Sequence, residues 1–294
     1  MFSPDEKILN FISEERIKEK TVSEVDFRSE IIEDGYFKKI VCLKSIDHSN
    51  LSSIVKNLTL IKGLNPEFAQ LLTPSTVTIS DGFLKISYNF SEYGNVENFV
   101  NFNSIERIHS IMNPLISRMI NCLYWLHSQD LIHRNISPDH FLIFSDSNDF
   151  NIKLCGTSAL CKNTMNRNDL PNFRYTKGKN SFLVWSSPEM IIQDFTGYNE
   201  KTDIYSLGLV IYYVISKTYP FSKCTDARLV YVEKLTNPVL SLTLNAEKLP
   251  DYILLLLKTC LNHNPTLRAS TSDLMKLDWI KEALRENFSI HKNI

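Results

Sequence analysis

Between Ile105 and Leu126 apolar residues return at helical spacing (Ile108, Ile111, Met112, Leu115, Ile116, Met119, Ile120, Leu123), and this pattern predicts one long amphipathic helix. Upstream the texture differs. Short runs of strand-like composition, Phe37–Leu43 and Phe83–Phe90, flank a helical candidate from Leu51 to Ile61. After the long helix come two more strand-like runs, Phe141–Phe144 and Ile152–Leu154, joined by the polar stretch Ser145–Phe150, which suits a hairpin turn. Cys161–Ser181 is polar and irregular. The rest is helical in pattern, over Ile204–Ile215, Leu229–Leu235, Tyr252–Leu261 and Thr271–Leu284, with Pro220, Pro238 and Pro265 as stops. The order predicts an α+β fold in one domain spanning residues 1–294, with a strand-rich small lobe at about 20–95 and a helical large lobe at about 96–285.

Composition narrows the function classes. The 294 residues are 43% hydrophobic, enough for a sizeable core, and 32 basic against 33 acidic residues give a formal charge of -1. Such a balance offers no field to gather nucleic acid or anionic lipid, so neither is an expected partner. Six cysteines (Cys42, Cys122, Cys155, Cys161, Cys224, Cys260) lie without a CxxC pair, mostly in apolar segments, which points to a reducing compartment, cytoplasmic or nuclear. Met1–Asn10 lacks the order of a signal peptide. The longest apolar stretches, Leu207–Ile215 and Tyr252–Leu257, fall well short of the ~20 residues that cross a bilayer.

The segment His133-Arg134-Asn135-Ile136-Ser137-Pro138-Asp139-His140 lies between the long helix and the hairpin, where a protein kinase places its catalytic loop. In that family the third position is an Asp that accepts the substrate hydroxyl proton, the fifth is a Lys and the eighth an Asn that holds a metal ion. Here they are Asn135, Ser137 and His140: an amide without a carboxylate, an uncharged hydroxyl, and an imidazole ill-suited to magnesium. The metal-binding Asp-Phe-Gly should follow Ile152–Cys155, and the chain has Gly156-Thr157-Ser158. Only Gly35 precedes the strand Val41–Lys44, so the glycine-rich phosphate loop is missing. Lys44 fits the strand lysine that contacts the α- and β-phosphates, with a solvated strand lysine as the plain alternative, and Lys56 stands where its carboxylate partner belongs. By contrast, Ser187-Pro188-Glu189 matches the end of an activation segment, Arg268 the arginine that pairs with that Glu, and Asp203 the helix-start carboxylate that receives backbone N–H groups of the catalytic loop.

The chain thus resembles a pseudokinase with the bilobal protein-kinase fold and a partly degenerate N-lobe. Over about 131–279, and more weakly back to Val41, it is most similar to STRAD, the STE-related adaptor family. Trp185–Met190, Gly197–Gly208, Gly156 and the hinge pair Tyr93-Gly94 carry that likeness. The resemblance implies a catalytically inactive allosteric activator whose cleft holds a serine/threonine kinase, the liver-type tumour-suppressor kinase, in its active state. A helical-repeat scaffold of the Mo twenty-five type would complete the complex. It also implies that no cofactor is required and that ATP binds, if at all, without Mg²⁺, although Ser158 replaces a basic residue that grips the phosphates in that family. The family's Trp-Glu-Phe docking tail is not at the end Asn287–Ile294, so scaffold binding is expected to be weaker or to use another face.

Other readings stay open. A weakly active or unconventional kinase would need Asp139 or Asp146 to replace the lost carboxylates, and a pseudokinase module of another family, such as one tied to membrane-traffic regulators, would share the broken loop. Tyr175, Phe182 and Trp185 could form a partner-binding surface or pack on the large lobe. No second His or Cys stands at ligand spacing from His140, so no metal site is expected, and Cys155 is read as a structural thiol.

Overall fold

The structure, a computed structural model, describes residues 27–34, 37–45, 60–61, 70–73, 76–80, 83–146, 149–163, 184–191, 199–222, 224, 227–236 and 249–287. Four antiparallel strands, β1 (Phe27–Asp34), β2 (Phe37–Ser45), β3 (Thr76–Ser80) and β4 (Phe83–Asn89), form a sheet of order β1-β2-β4-β3. β2 and β4 match the sequence pattern. β1 was not expected, because four of its eight residues, Arg28, Glu30, Glu33 and Asp34, are charged and hide the strand signal. The sheet order makes β2 an inner strand and pairs Lys44 with Phe27 on one side and Leu84 on the other. Most of the Leu51–Ile61 helical candidate lies outside the described residues.

The connection to the helical part is hydrogen-bonded backbone. Leu154 N donates to Gln70 O (2.8 Å) and Leu72 N to Leu154 O (2.7 Å). At the hinge, Gly94 adopts φ 68°, a conformation that glycine reaches without strain, and its carbonyl accepts Ile143 N at 2.8 Å. Ser91 Oγ, buried, bonds the carbonyls of Gly94 and Ile143 and closes the same turn.

Helix α1 (Val96–Phe102) starts at an Asn95 cap and was missed by the apolar periodicity, being only two turns long. The long helix α2 (Ile105–Ser128) is capped by Ser104 and runs through Pro114. Its buried face is the one expected, and it supports β6 (Phe141–Asp146) and β7 (Asp149–Leu154), a hairpin whose strands extend further into the polar stretch than the pattern indicated. Before it, β5 (Leu131–Ile132) pairs with β8 (Cys161–Lys162), giving order to the start of a region read as irregular. Short α3 (Pro188–Ile191) precedes α4 (Lys201–Ser216), in which every residue from Thr202 to Ile215 is buried. A helix buried on all sides is the centre of its lobe. Around it stand α5 (Ala227–Thr236) and α6 (Asp251–Cys260).

The sequence pattern is corrected at its end. Thr271–Leu284 is two helices, α7 (Thr271–Leu274) and α8 (Asp278–Arg285), because Leu277 is extended (φ -64°, ψ 128°). The break re-aims the chain so that Ile280 and Ala283 are buried where α8 packs on α2. Among the described residues no helix is long and apolar enough to cross a membrane.

Gly208 sets the spacing of α4 and α6. A Cβ there would lie 2.8 Å from Cys260 Cβ and 2.9 Å from Leu261 Cδ2. Gly208→Ala is therefore expected to destabilise the protein by about 1–3 kcal/mol through overpacking, read as a lower denaturation midpoint in urea.

Candidate functional site

The catalytic-loop segment is shaped by one carboxylate. Asp203 sits in the first turn of α4, where the helix dipole favours negative charge, and is fully buried. Its Oδ2 accepts the backbone N–H of His133 at 2.8 Å and the His127 ring at 2.9 Å, and its Oδ1 accepts Arg134 N at 2.8 Å. Burial alone would raise this carboxyl, but the His127 and His133 hydrogen bonds outweigh it and hold the group below the usual carboxylate range. Together these bonds hold Arg134 at φ 64°, a strained conformation for a residue with a Cβ. The Arg134 side chain is buried, with Nε donating to Ala159 O at 2.6 Å.

His133 is the second fixed point. Its Nε2–H donates to Cys155 O at 2.8 Å, which leaves Nδ1 to accept Asn135 N at 3.3 Å. Only the neutral ring can do both, and burial pushes its pKa down to about 4. The loop is thereby tied to the end of β7, next to Gly156.

The three substituted positions bond to one another. His140 Nδ1 lies 2.7 Å from Asn135 O and 2.8 Å from Ser137 Oγ; a carbonyl only accepts, so Nδ1 carries the proton. Ser137 Oγ–H in turn donates to Asp139 Oδ1 at 2.5 Å. The imidazole is held over Gly156, which adopts φ 76°: a Cβ built there would lie 2.3 Å from His140 Cδ2 and 2.6 Å from Nε2. Ser158 lies in the turn Thr157–Ala159. Asn135 has no carboxylate to accept a proton, and Gly156 has no side chain to bind a metal. Among the described residues no group of three or more His, Cys, Asp or Glu side chains is placed to hold a metal ion.

Glu189 and Arg268 come together in a bidentate pair, NH1 to Oε1 at 2.6 Å and NH2 to Oε2 at 2.9 Å. Arg268 also donates to the carbonyls of Asn262, Lys201 and His263, so all five of its N–H groups have acceptors, and its guanidinium stacks on Tyr205. Trp185 is 5% exposed, edge-on to Tyr213 at 6.0 Å, so the interface alternative is corrected for this residue: its ring packs in the large lobe. Tyr175, Phe182 and Lys56 lie outside the described residues, as does the side chain of Lys44. Asp139 is half-exposed and Asp146 lies at the exposed end of β6.

Three structural basic side chains escaped the sequence reading. Arg118, on the buried face of α2, donates to both Asp149 oxygens at 2.7 Å and to Phe150 O at 2.9 Å, binding helix to hairpin. Lys234 on α5 is fully buried, with Nζ donating to Val184 O (2.7 Å) and Ser186 O (2.5 Å); burial drives its pKa well below the usual value. His127 closes α2 onto Asp203. A lone basic residue inside an amphipathic pattern gives no sequence signal that separates it from a solvated one.

Residues 29–280 match the protein kinase domain, and the chain belongs to that family. It is 28% identical over 166 residues to the mixed lineage kinase domain-like protein of Mus musculus, covering 55% of this chain and 32% of that protein. It is 25% identical over 194 residues to the STE20-related kinase adapter protein strd-1 of Caenorhabditis elegans (58% and 48%). It is 26% identical over 266 residues to the serine/threonine-protein kinase ppk11 of Schizosaccharomyces pombe (87% and 77%). The chain therefore spans less than half the length of the first two relatives. One of these names describes an adapter and another a kinase.

Two measurements probe this frame. Because folded His133 titrates near 4 and an unfolded one near 6.5, the unfolded chain binds the extra proton between those values. This contribution to stability is therefore complete above about pH 6.5 and falls as pH drops towards 4, by on the order of 3 kcal/mol. Urea melts at several pH values should show that fall, and His133→Phe should flatten it within this window. Separately, Glu189→Ala leaves the Arg268 charge buried without its partner, and a loss of about 3–5 kcal/mol is expected in the same melts.

Proposed function

We propose that the chain is a pseudokinase that works by binding, an adaptor that holds a serine/threonine kinase in its active conformation without transferring phosphate itself. One observation carries this reading: Asp203 holds a kinase-type loop on which Asn135 offers an amide in place of a carboxylate, while the His140 ring is turned onto the Asn135 backbone carbonyl and Ser137 Oγ rather than presenting a metal ligand. Losing a positioned base lowers rate by roughly 10² to 10⁴, and losing the metal clamp removes the main charge neutralisation as well. The name of the Caenorhabditis elegans relative, a kinase adapter, supports the same role.

Physically this is population shift. A partner that binds the active conformation more tightly moves the equilibrium by its differential affinity. The partner would be a serine/threonine kinase, with a helical-repeat scaffold of the Mo twenty-five type as third component. Nucleotide, where it binds, would bind without Mg²⁺, with Lys44 as its phosphate contact. The second reading, an unconventional kinase, is favoured by the long match to the Schizosaccharomyces pombe serine/threonine kinase. It would need Asp139 to leave its bond to Ser137 and serve as base.

Transfer of labelled phosphate from ATP to serine/threonine peptides, with Mg²⁺ or Mn²⁺, separates the two. Turnover at background is expected for the wild type and for the double variant Asn135→Asp with Gly156→Asp, since the glycine loop is absent and Lys56 replaces the partner of Lys44. Adding the chain to its cognate kinase should raise that kinase's turnover. Turnover by the wild type, abolished by Asp139→Asn, would favour the second reading.

A further inference from the structure

The protein kinase fold implies a divalent metal, and the residues present do not fit one. The metal-binding carboxylate of the family belongs at position 156, which here is Gly156 with φ 76°. The family's second metal ligand belongs at position 140, and His140 does more than fail to replace it. Its ring stands in the volume that any side chain at 156 would need, with three ring atoms between 2.3 and 2.7 Å from where the Cβ would be.

We infer that His140 is a built-in block to the metal site: its imidazole fills the space above Gly156, so that this ring at 140 and any side chain at 156 exclude each other. The ring is not free to swing aside without loss. Its Nδ1–H is held by Asn135 O and lies within reach of Ser137 Oγ, and its side chain is only 20% exposed. Rotating it would abandon a half-buried hydrogen bond to a carbonyl. The two substitutions therefore form one device, a glycine that leaves space and a histidine that occupies it, and undoing the glycine alone creates a clash. This deepens the pseudokinase reading, since it assigns the loss of metal binding to filled space as well as to missing ligands.

A double-mutant cycle in thermal melting tests the coupling. Gly156→Asp alone is expected to lower the melting midpoint by at least about 2–4 °C, the shift that roughly 1 kcal/mol produces in a chain of this size. His140→Asn alone should change it less. The pair should recover part of the loss, the remainder reflecting the strain of a side chain at positive φ. The pair Gly156→Ala with His140→Ala repeats the cycle without introducing charge. If Gly156→Asp fails to fold, a folded double variant is the rescue expected. Additive single effects in both cycles, or failure of the double variants to fold, would overturn the block. That outcome would leave the adaptor reading standing, because Asn135 lacks a carboxylate in either case.

Discussion

The Asp203 carboxylate is the contact on which the functional end of the molecule depends. It is fully buried at the start of the central helix, and it survives as a charge only because two backbone N–H groups and the His127 ring surround it. In return it fixes Arg134 at positive φ and so sets the direction in which Asn135 to His140 leave the helical lobe. Arg268 does the same for the segment around Glu189, with every donor of its guanidinium engaged.

Both anchors act mainly on backbone. The shape of the loop depends on N–H groups that every residue except proline carries, so the side chains at 135, 137 and 140 could change without collapsing it. The Asn135 backbone carbonyl, the Ser137 hydroxyl and the His140 ring form a small network, and Gly156 yields the room that the ring occupies.

Much of this was legible in the residue pattern. The long helix, the hairpin, the central helix and the pairing of Glu189 with Arg268 follow from periodicity and from motifs whose spacing is tight. What escaped did so for definite reasons. β1 is too charged and α1 too short to show a period, and the break at Leu277 serves a tertiary contact with α2 that local propensity does not encode. Arg118, His127 and Lys234 look like ordinary polar positions until the fold brings Asp149, Asp203 and the carbonyls of Val184 and Ser186 to meet them. The sequence showed that His140 is a poor magnesium ligand, but not that it stands over Gly156, sixteen residues later, because only the tertiary turn brings the two together.

The most direct measurement is crystallographic: crystals grown with ATP and Mn²⁺, with data recorded at the manganese absorption edge. The account predicts no anomalous peak within bonding distance of residues 135, 140 or 156, and an imidazole of His140 resting over Gly156 with its Nδ1 on the Asn135 carbonyl. A manganese peak coordinated in that space, with the His140 ring swung aside or bound to the ion, would contradict it.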